Sequence, residues 1–165
     1  MSNNLIEFTF KSPPKMFTYI EGEPLKITEY YDFFHNKSKI RKSLIQLQYL
    51  FKSYTKTPLL ASGIRDTYLK EEYSEHYLMI LFTTPDIIKD ANKIIEIYSN
   101  FEFTIGKFLL ITTQDYLLLL AKDIGAINSG VEYMEEILKQ ILEDYFAKKD
   151  FEDFIKVRQF SLSNF

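Results

Sequence analysis

The sequence has no cysteine and no tryptophan, and only 5 glycines and 5 prolines in 165 residues. Without cysteine there is no disulfide framework, no thiolate nucleophile, and no Cys-based zinc or iron–sulfur site. Average usage of roughly 7% would give about 12 glycines. The shortage argues against glycine-rich phosphate loops and tight all-β architectures, and G-x-S-x-G, G-x-x-x-x-G-K-[ST] and G-x-G-x-x-G are all missing. Long hydrophobic runs are absent too: the longest, Leu117 to Ala121, is far too short to cross a bilayer. The opening residues, Met1 to Glu7, lack a basic segment followed by an apolar core, so no signal peptide is visible and a cytoplasmic protein is expected.

What is present is a balanced, aromatic-rich composition. Hydrophobic residues make up 46% and charged residues 26%, which excludes disorder and collagen-like repeats. Lys+Arg number 20 against 23 Asp+Glu, a net charge of −3, and only 3 of the 20 cations are arginine. The length suits a single domain spanning residues 1–165 around one core. Aromatic side chains are the excess, with 15 Phe and 12 Tyr.

Along the chain, Ile6 to Phe10 alternates apolar and polar residues at the period of a half-buried strand. Ser12-Pro13-Pro14 breaks it, Met16 to Ile20 is a second strand, and Leu25 to Phe34 a third. A helix from about Ser38 to Tyr54 follows, with Ile40, Leu44, Leu47, Leu50 and Phe51 on one stripe. Residues 61–76 are polar and carry no clear pattern. Tyr77 to Phe82 reads as a strand covered on both faces, and Thr84-Pro85-Asp86 as a helix start. Its apolar face runs from Ile87 to Tyr98. Phe101 to Thr112, with a break near Gly106-Lys107, turns at Thr113-Gln114-Asp115 into Tyr116 to Ala121 as an antiparallel hairpin. Asp123 then caps a long helix whose inner face is Ile127, Val131, Met134, Leu138, Ile141 and Tyr145. Gly125 and Gly130 cost that helix about 1 kcal/mol each against alanine and suggest close approach of a neighbour. Phe154 to Leu162 returns to extended structure. The order predicts an α+β fold: a mixed, largely antiparallel β-sheet with about three helices packed mainly on one face.

Few residues offer chemistry. His35 and His76 have no ligand-spaced partner and read as exposed loop histidines. Glu71-Glu72-Glu75 is an isolated acidic group. Glu132-Glu135-Glu136 and Glu143-Asp144 fall opposite the apolar stripe of the last helix and read as a solvated face, and Asp150, Glu152 and Asp153 lie among lysines beyond it. The basic run of Lys37, Lys39, Arg41 and Lys42, with Lys52 and Lys56, is the only cationic patch; in an acidic chain it argues weakly for nucleic acid. Tyr30-Tyr31 with Phe33-Phe34 is denser than one strand face can bury, so some rings should meet another surface. Sugar stacking and protein contact both fit that expectation. No catalytic, cofactor-binding or metal-binding residue is assigned, and no cofactor is expected.

The stretch from Lys107 to Gln140 resembles a known family. It runs Phe108 to Thr112, a turn at Gln114-Asp115, then Tyr116 to Ala121. Lys122-Asp123-Ile124-Gly125, Ser129-Gly130-Val131-Glu132-Tyr133-Met134 and Ile137-Leu138-Lys139-Gln140 follow. This is similar to the small, non-catalytic α/β accessory domain that precedes the catalytic barrel in glycoside hydrolases of families 20, 84 and 67. Ser12-Pro13-Pro14-Lys15 with Glu21-Gly22, and the helix from Ser38 to Tyr54, fit the same pattern more loosely. The resemblance implies that Gly125 and Gly130 help the last helix pack on its hairpin. It also implies that Val157 to Leu162 falls about where a first barrel strand would begin. The catalytic carboxylates of those enzymes lie in the barrel, so the resemblance transfers no catalytic residue. What it implies is an accessory or interaction module that acts through contacts with another protein or a catalytic barrel domain. The alternative is a fragment or subunit of a hexosaminidase-like enzyme whose barrel is elsewhere.

Overall fold

The computed structural model describes residues 6–27, 32–35, 37–55, 60–63, 77–83, 93–147 and 155–165. Its strands are β1 (Met16–Tyr19), β2 (Leu25–Ile27), β3 (Asp32–His35), β4 (Leu60–Gly63), β5 (Tyr77–Phe82), β6 (Phe108–Thr112), β7 (Tyr116–Ala121), β8 (Ile155–Val157) and β9 (Phe160–Ser163). The described helices are α1 (Ile40–Ser43), α2 (Ile45–Thr55), α3 (Lys93–Ile97) and α4 (Ile124–Ala147). Seven strands form one sheet in the order β1-β9-β6-β7-β5-β3-β4, and β2 pairs with β8 in a small second sheet.

The fold is α+β with a mixed sheet, and antiparallel pairings hold a narrow majority. β1–β9, β9–β6, β6–β7 and β2–β8 are antiparallel, whereas β7–β5, β5–β3 and β3–β4 are parallel. The hairpin sits at the junction of the two halves, with Leu110 opposite Leu119 in β6–β7 and Leu119 beside Ile80 in β7–β5. That place explains why β5 and β7 are apolar at nearly every position: a central parallel strand is covered on both faces.

One face carries the main core. Phe33, Leu78, Ile80, Phe108, Leu110, Leu117 and Leu119 pack there beneath Ile40, Leu47 and Phe51 and the stripe Ile127, Val131, Met134, Leu138 and Ile141. Helices α1, α2 and α4 thus share this face. The opposite face presents Met79, Leu81, Leu109, Leu118 and Leu120, covered among described residues by Tyr98, Ile95 and Phe103.

The long helix starts as its cap predicts. Asp123 Oδ2 accepts the Ala126 amide at 3.1 Å, and Oδ1 accepts the Gly106 amide at 2.8 Å. Gly106 holds a φ of +87°, a left-handed conformation that glycine adopts without strain. At Gly130 a Cβ would lie within 2.9 Å of Leu119 Cδ2, so α4 approaches the hairpin at a distance only glycine permits. Gly125 differs from expectation: a Cβ there would meet only the Asp123 carboxylate at 3.2 Å, and no hairpin atom.

Several expectations need correction. Residues 6–10 alternate in burial as read, with Phe8 buried and Glu7 and Thr9 exposed, but they form no strand. Leu25 to Phe34 is not one strand: β2 joins the small sheet and β3 the large one. The helix from Ser38 is broken at Leu44, where the Leu44 amide bonds back to Arg41 O at 3.2 Å, a tighter three-residue turn. Residues 101–107 are irregular, and the strand begins only at Phe108. The patternless segment 61–76 opens inside β4, which runs from Leu60 to Gly63. Residues 160–163, expected near the opening of a barrel, form β9 inside this sheet between β1 and β6. The proposed helix start at Thr84-Pro85-Asp86 lies outside the described residues, as do Thr57-Pro58, Tyr30, Tyr31 and Phe154.

Candidate functional site

Apart from the rings carried by α2 and α4, the described aromatic residues sort into three environments. Phe8, Phe10, Phe17, Tyr19 and Phe160 interlock around the β1–β9 end of the main core, with neighbouring ring centroids 4.9–6.4 Å apart. Phe33 is fully buried under the helices, while Phe34 is half-buried against the opposite face. A third group emerges at the surface beside α3.

This surface group is built on a buried anchor. The Tyr98 and Tyr116 hydroxyls are 2.6 Å apart, and burial pushes the Tyr98 hydroxyl pKa up. The Phe101 ring leans on Tyr98 with centroids 6.3 Å apart, and Phe103 packs onto the sheet. Phe165 stands edge-on to both, at 5.4 Å from Phe101 and 5.2 Å from Phe103. Asn164 clamps that end of the chain. Its Oδ1 accepts the Phe108 amide at 2.9 Å, its Nδ2 donates to Gly106 O at 2.7 Å, and Lys107 Nζ donates to its backbone oxygen at 3.0 Å. Around these rings Ile97 is 55% exposed, Phe101 38% and Ile105 73%. Large apolar side chains left exposed over one short stretch are the chemistry of a contact surface.

The other candidates fall elsewhere. His35 is a correction: it is buried at the end of β3, because the strand continues one residue past Phe34 and turns the imidazole toward the helix-covered face. Burial lowers its pKa, as does the nearby Arg41 charge, and a Lys37 backbone contact opposes them. Neither ring nitrogen has a hydrogen-bond partner of good geometry among the described residues. His76 lies outside the described residues, as do Glu71, Glu72, Glu75, Lys56, Asp150, Glu152 and Asp153.

The basic patch is spread over α1 and α2. Lys39, Arg41, Lys42 and Lys52 are exposed, and Lys37 Nζ lies 4.9 Å above the Phe82 ring. On α4 the acidic face is not simply solvated. Glu136 Oε1 accepts the Lys11 amide at 3.1 Å, and Glu135 Oε1 accepts Gln46 Nε2 at 3.1 Å. Among the described residues no group of three or more His, Asp or Glu side chains is placed to hold a metal, and no helix is long and apolar enough to cross a membrane.

Sequence reasoning missed Gln140 and Tyr133. Gln140 accepts the Thr9 amide at 2.9 Å and donates to Thr9 O at 2.8 Å, while Tyr133 donates to Ser12 O at 2.9 Å. Their signal is positional: each lies one turn from a core residue on the edge of the apolar stripe, where a long polar side chain can reach a neighbouring backbone.

No protein-family model matches the sequence, and no curated protein matches it. Solved structures do. The exo-β-N-acetylglucosaminidase of glycoside hydrolase family 20 from Vibrio harveyi superposes with a TM-score of 0.55 at 9% identity, over 92% of this chain and 18% of that one. CpGH84D superposes with a TM-score of 0.63 at 8% identity, over 96% of this chain and 24% of that one. The family 20 chitobiase of Flavobacterium johnsoniae gives 0.52 at 10% identity, over 92% and 20%. The chain therefore spans about a fifth of the length of the proteins it matches, and at such identities the likeness is one of fold. Nearly the whole of this chain has the fold of one portion of family 20 and family 84 glycoside hydrolases, as the resemblance around Lys107 to Gln140 led one to expect.

Proposed function

We propose that the chain works as a non-catalytic accessory module that docks against a catalytic barrel domain of the glycoside hydrolase type. The observation that carries this reading is the asymmetry of the structural match: over nine-tenths of this chain against less than a quarter of each enzyme. In those proteins most of the chain lies beyond the shared portion, so a module of this fold is accompanied by a larger partner. The exposed apolar side chains of Ile97, Phe101 and Ile105 supply a surface of matching kind. Such side chains contribute to association when covered and little to the isolated fold.

The same likeness supports a second reading, in which the chain is a piece or subunit of a hexosaminidase-like enzyme. The two differ in whether the docked assembly needs this chain for turnover. Mixing the purified protein with a family 20 barrel domain, encoded beside it or taken from a structural relative, tests both by light scattering and by hydrolysis of an aryl N-acetylglucosaminide. The expected result is a one-to-one complex, no turnover by the chain alone, and loss of the complex in Ile97→Ser/Ile105→Asp at an unchanged melting temperature. Turnover by the isolated chain, or a strict monomer in the presence of every barrel tried, overturns the docking reading. A barrel that is inactive until this chain is added favours the subunit reading.

A further inference from the structure

A groove of about 830 Å³ runs between α2 and α4, lined also by Thr9 and Lys11. Its two walls are single helix stripes: Gln46, Tyr49 and Ser53 on α2, and Glu135, Lys139 and Glu143 on α4. The spacings of three and four residues bring each set onto one side of its helix. The size falls within the range of small-molecule sites, and the groove is open along its length rather than enclosed.

Three features fix the chemistry of an occupant. Tyr49 is 69% exposed, so its ring is a bare aromatic surface at the groove's rim. Polar groups stand close by: Gln46 Nε2 donates to Glu135 Oε1 at 3.1 Å, and the Tyr54 hydroxyl faces the Glu143 carboxylate. Burial, reinforced by that carboxylate, raises the Tyr54 pKa. Both carboxylates keep free lone pairs, since each ionised carboxylate can accept about four hydrogen bonds. Finally, the lining charges nearly cancel, with Lys11 and Lys139 against Glu135, Glu136 and Glu143. A strongly charged ligand gains little from such a wall. A neutral molecule gains more, provided it offers a C–H face to an aromatic ring and many hydroxyls to carboxylate and amide groups.

We propose that this groove binds an uncharged oligosaccharide, with Tyr49 as the stacking platform and Glu135, Lys139 and Glu143 as hydrogen-bonding partners. The site lies on the helix face, away from the Ile97–Ile105 surface, so it stands or falls separately from barrel docking.

The test is calorimetric and NMR titration of the full chain with chitohexaose, cellohexaose and the fully deacetylated, cationic chitosan hexamer. The expected result is binding of at least one neutral hexamer, with amide shifts confined to α2, α4 and residues 9–11. Tyr49→Ala, at an exposed position, should keep the melting temperature and weaken binding at least tenfold, and Tyr49→Phe should retain it. No binding of either neutral hexamer at millimolar concentration overturns the proposal. So does preferential binding of the chitosan hexamer, which would mark a cation site, or binding that survives Tyr49→Ala.

Discussion

His35 occupies the last position of β3, beside Ile80 of β5 and Gly63 of β4, with its ring turned into the core. A protonated imidazole there would carry a charge out of water, next to Arg41. The folded protein therefore takes up this proton at lower pH than the unfolded chain, whose histidine titrates near 6.5. Above that value neither state is protonated and the imidazole imposes no penalty. As pH falls below it, the unfolded chain gains the proton first, and stability declines by at most about 1.4 kcal/mol per pH unit until the folded-state value is passed. Urea unfolding at pH 7, 6 and 5 should show this decline. The variant His35→Phe should reduce its slope by one proton, and an unchanged slope would locate the acid sensitivity elsewhere. Nothing in the sequence marks this histidine as buried. It follows Phe33-Phe34 directly, and only the position of the strand's end decides whether it points into the core or into a loop.

Among the elements, the strap of residues 6–12 shows how a correct period can be assigned a wrong partner. Ile6, Phe8 and Phe10 face inward as the alternation requires, and Phe8 and Phe10 pack on Phe17. The backbone, however, is satisfied by side chains and not by a ladder. Phe8 N donates to Tyr19 Oη at 2.8 Å, Thr9 is bracketed by the Gln140 carboxamide, and Lys11 N reaches Glu136. An amide side chain offers one donor and one acceptor in a plane, as a peptide group does, so Gln140 replaces a strand neighbour for one residue. Local periodicity reports which side chains are buried, whereas the hydrogen-bonding partner is set by tertiary placement. The hairpin and α4 were legible for the opposite reason: their partners are adjacent in sequence or fixed by a cap. Gln140→Leu should release the strap while leaving the core intact. Thr9 amide exchange is expected to accelerate at least tenfold, with a global loss of about 1–2 kcal/mol. Amide protection unchanged at Thr9 would mean that the Phe8 and Phe10 packing alone holds the segment.

At the scale of the whole molecule, the sheet joins a parallel half, β7-β5-β3-β4, to an antiparallel half, β7-β6-β9-β1. The antiparallel half closes late in the chain. β9 is inserted between β6 and β1, pairing Leu162 with Leu110 on one side and with Phe17 on the other. β8 likewise completes the small sheet by pairing Val157 with Leu25. The sequence read residues 154–162 as extended, but strand order is a long-range property, and no local pattern says that this segment separates two strands drawn from the start and the middle of the chain. Its burial is extensive: Ile155, Val157, Phe160 and Leu162 all belong to the main core. Removing four such side chains forfeits roughly 1.5–3 kcal/mol each, a sum comparable with the whole stability of an ordinary domain. It also leaves the β6 and β1 edges without partners. Deletion of residues 155–165 should therefore abolish cooperative unfolding and expose dye-binding apolar surface. Deletion of Asn164 and Phe165 alone should leave the melt cooperative and loosen only the segment from Phe101 to Phe108. A truncated chain ending at residue 154 that still melts cooperatively would mean that β7, β5 and α4 form a self-sufficient core, and that β9 is an addition to the fold and not one of its central strands.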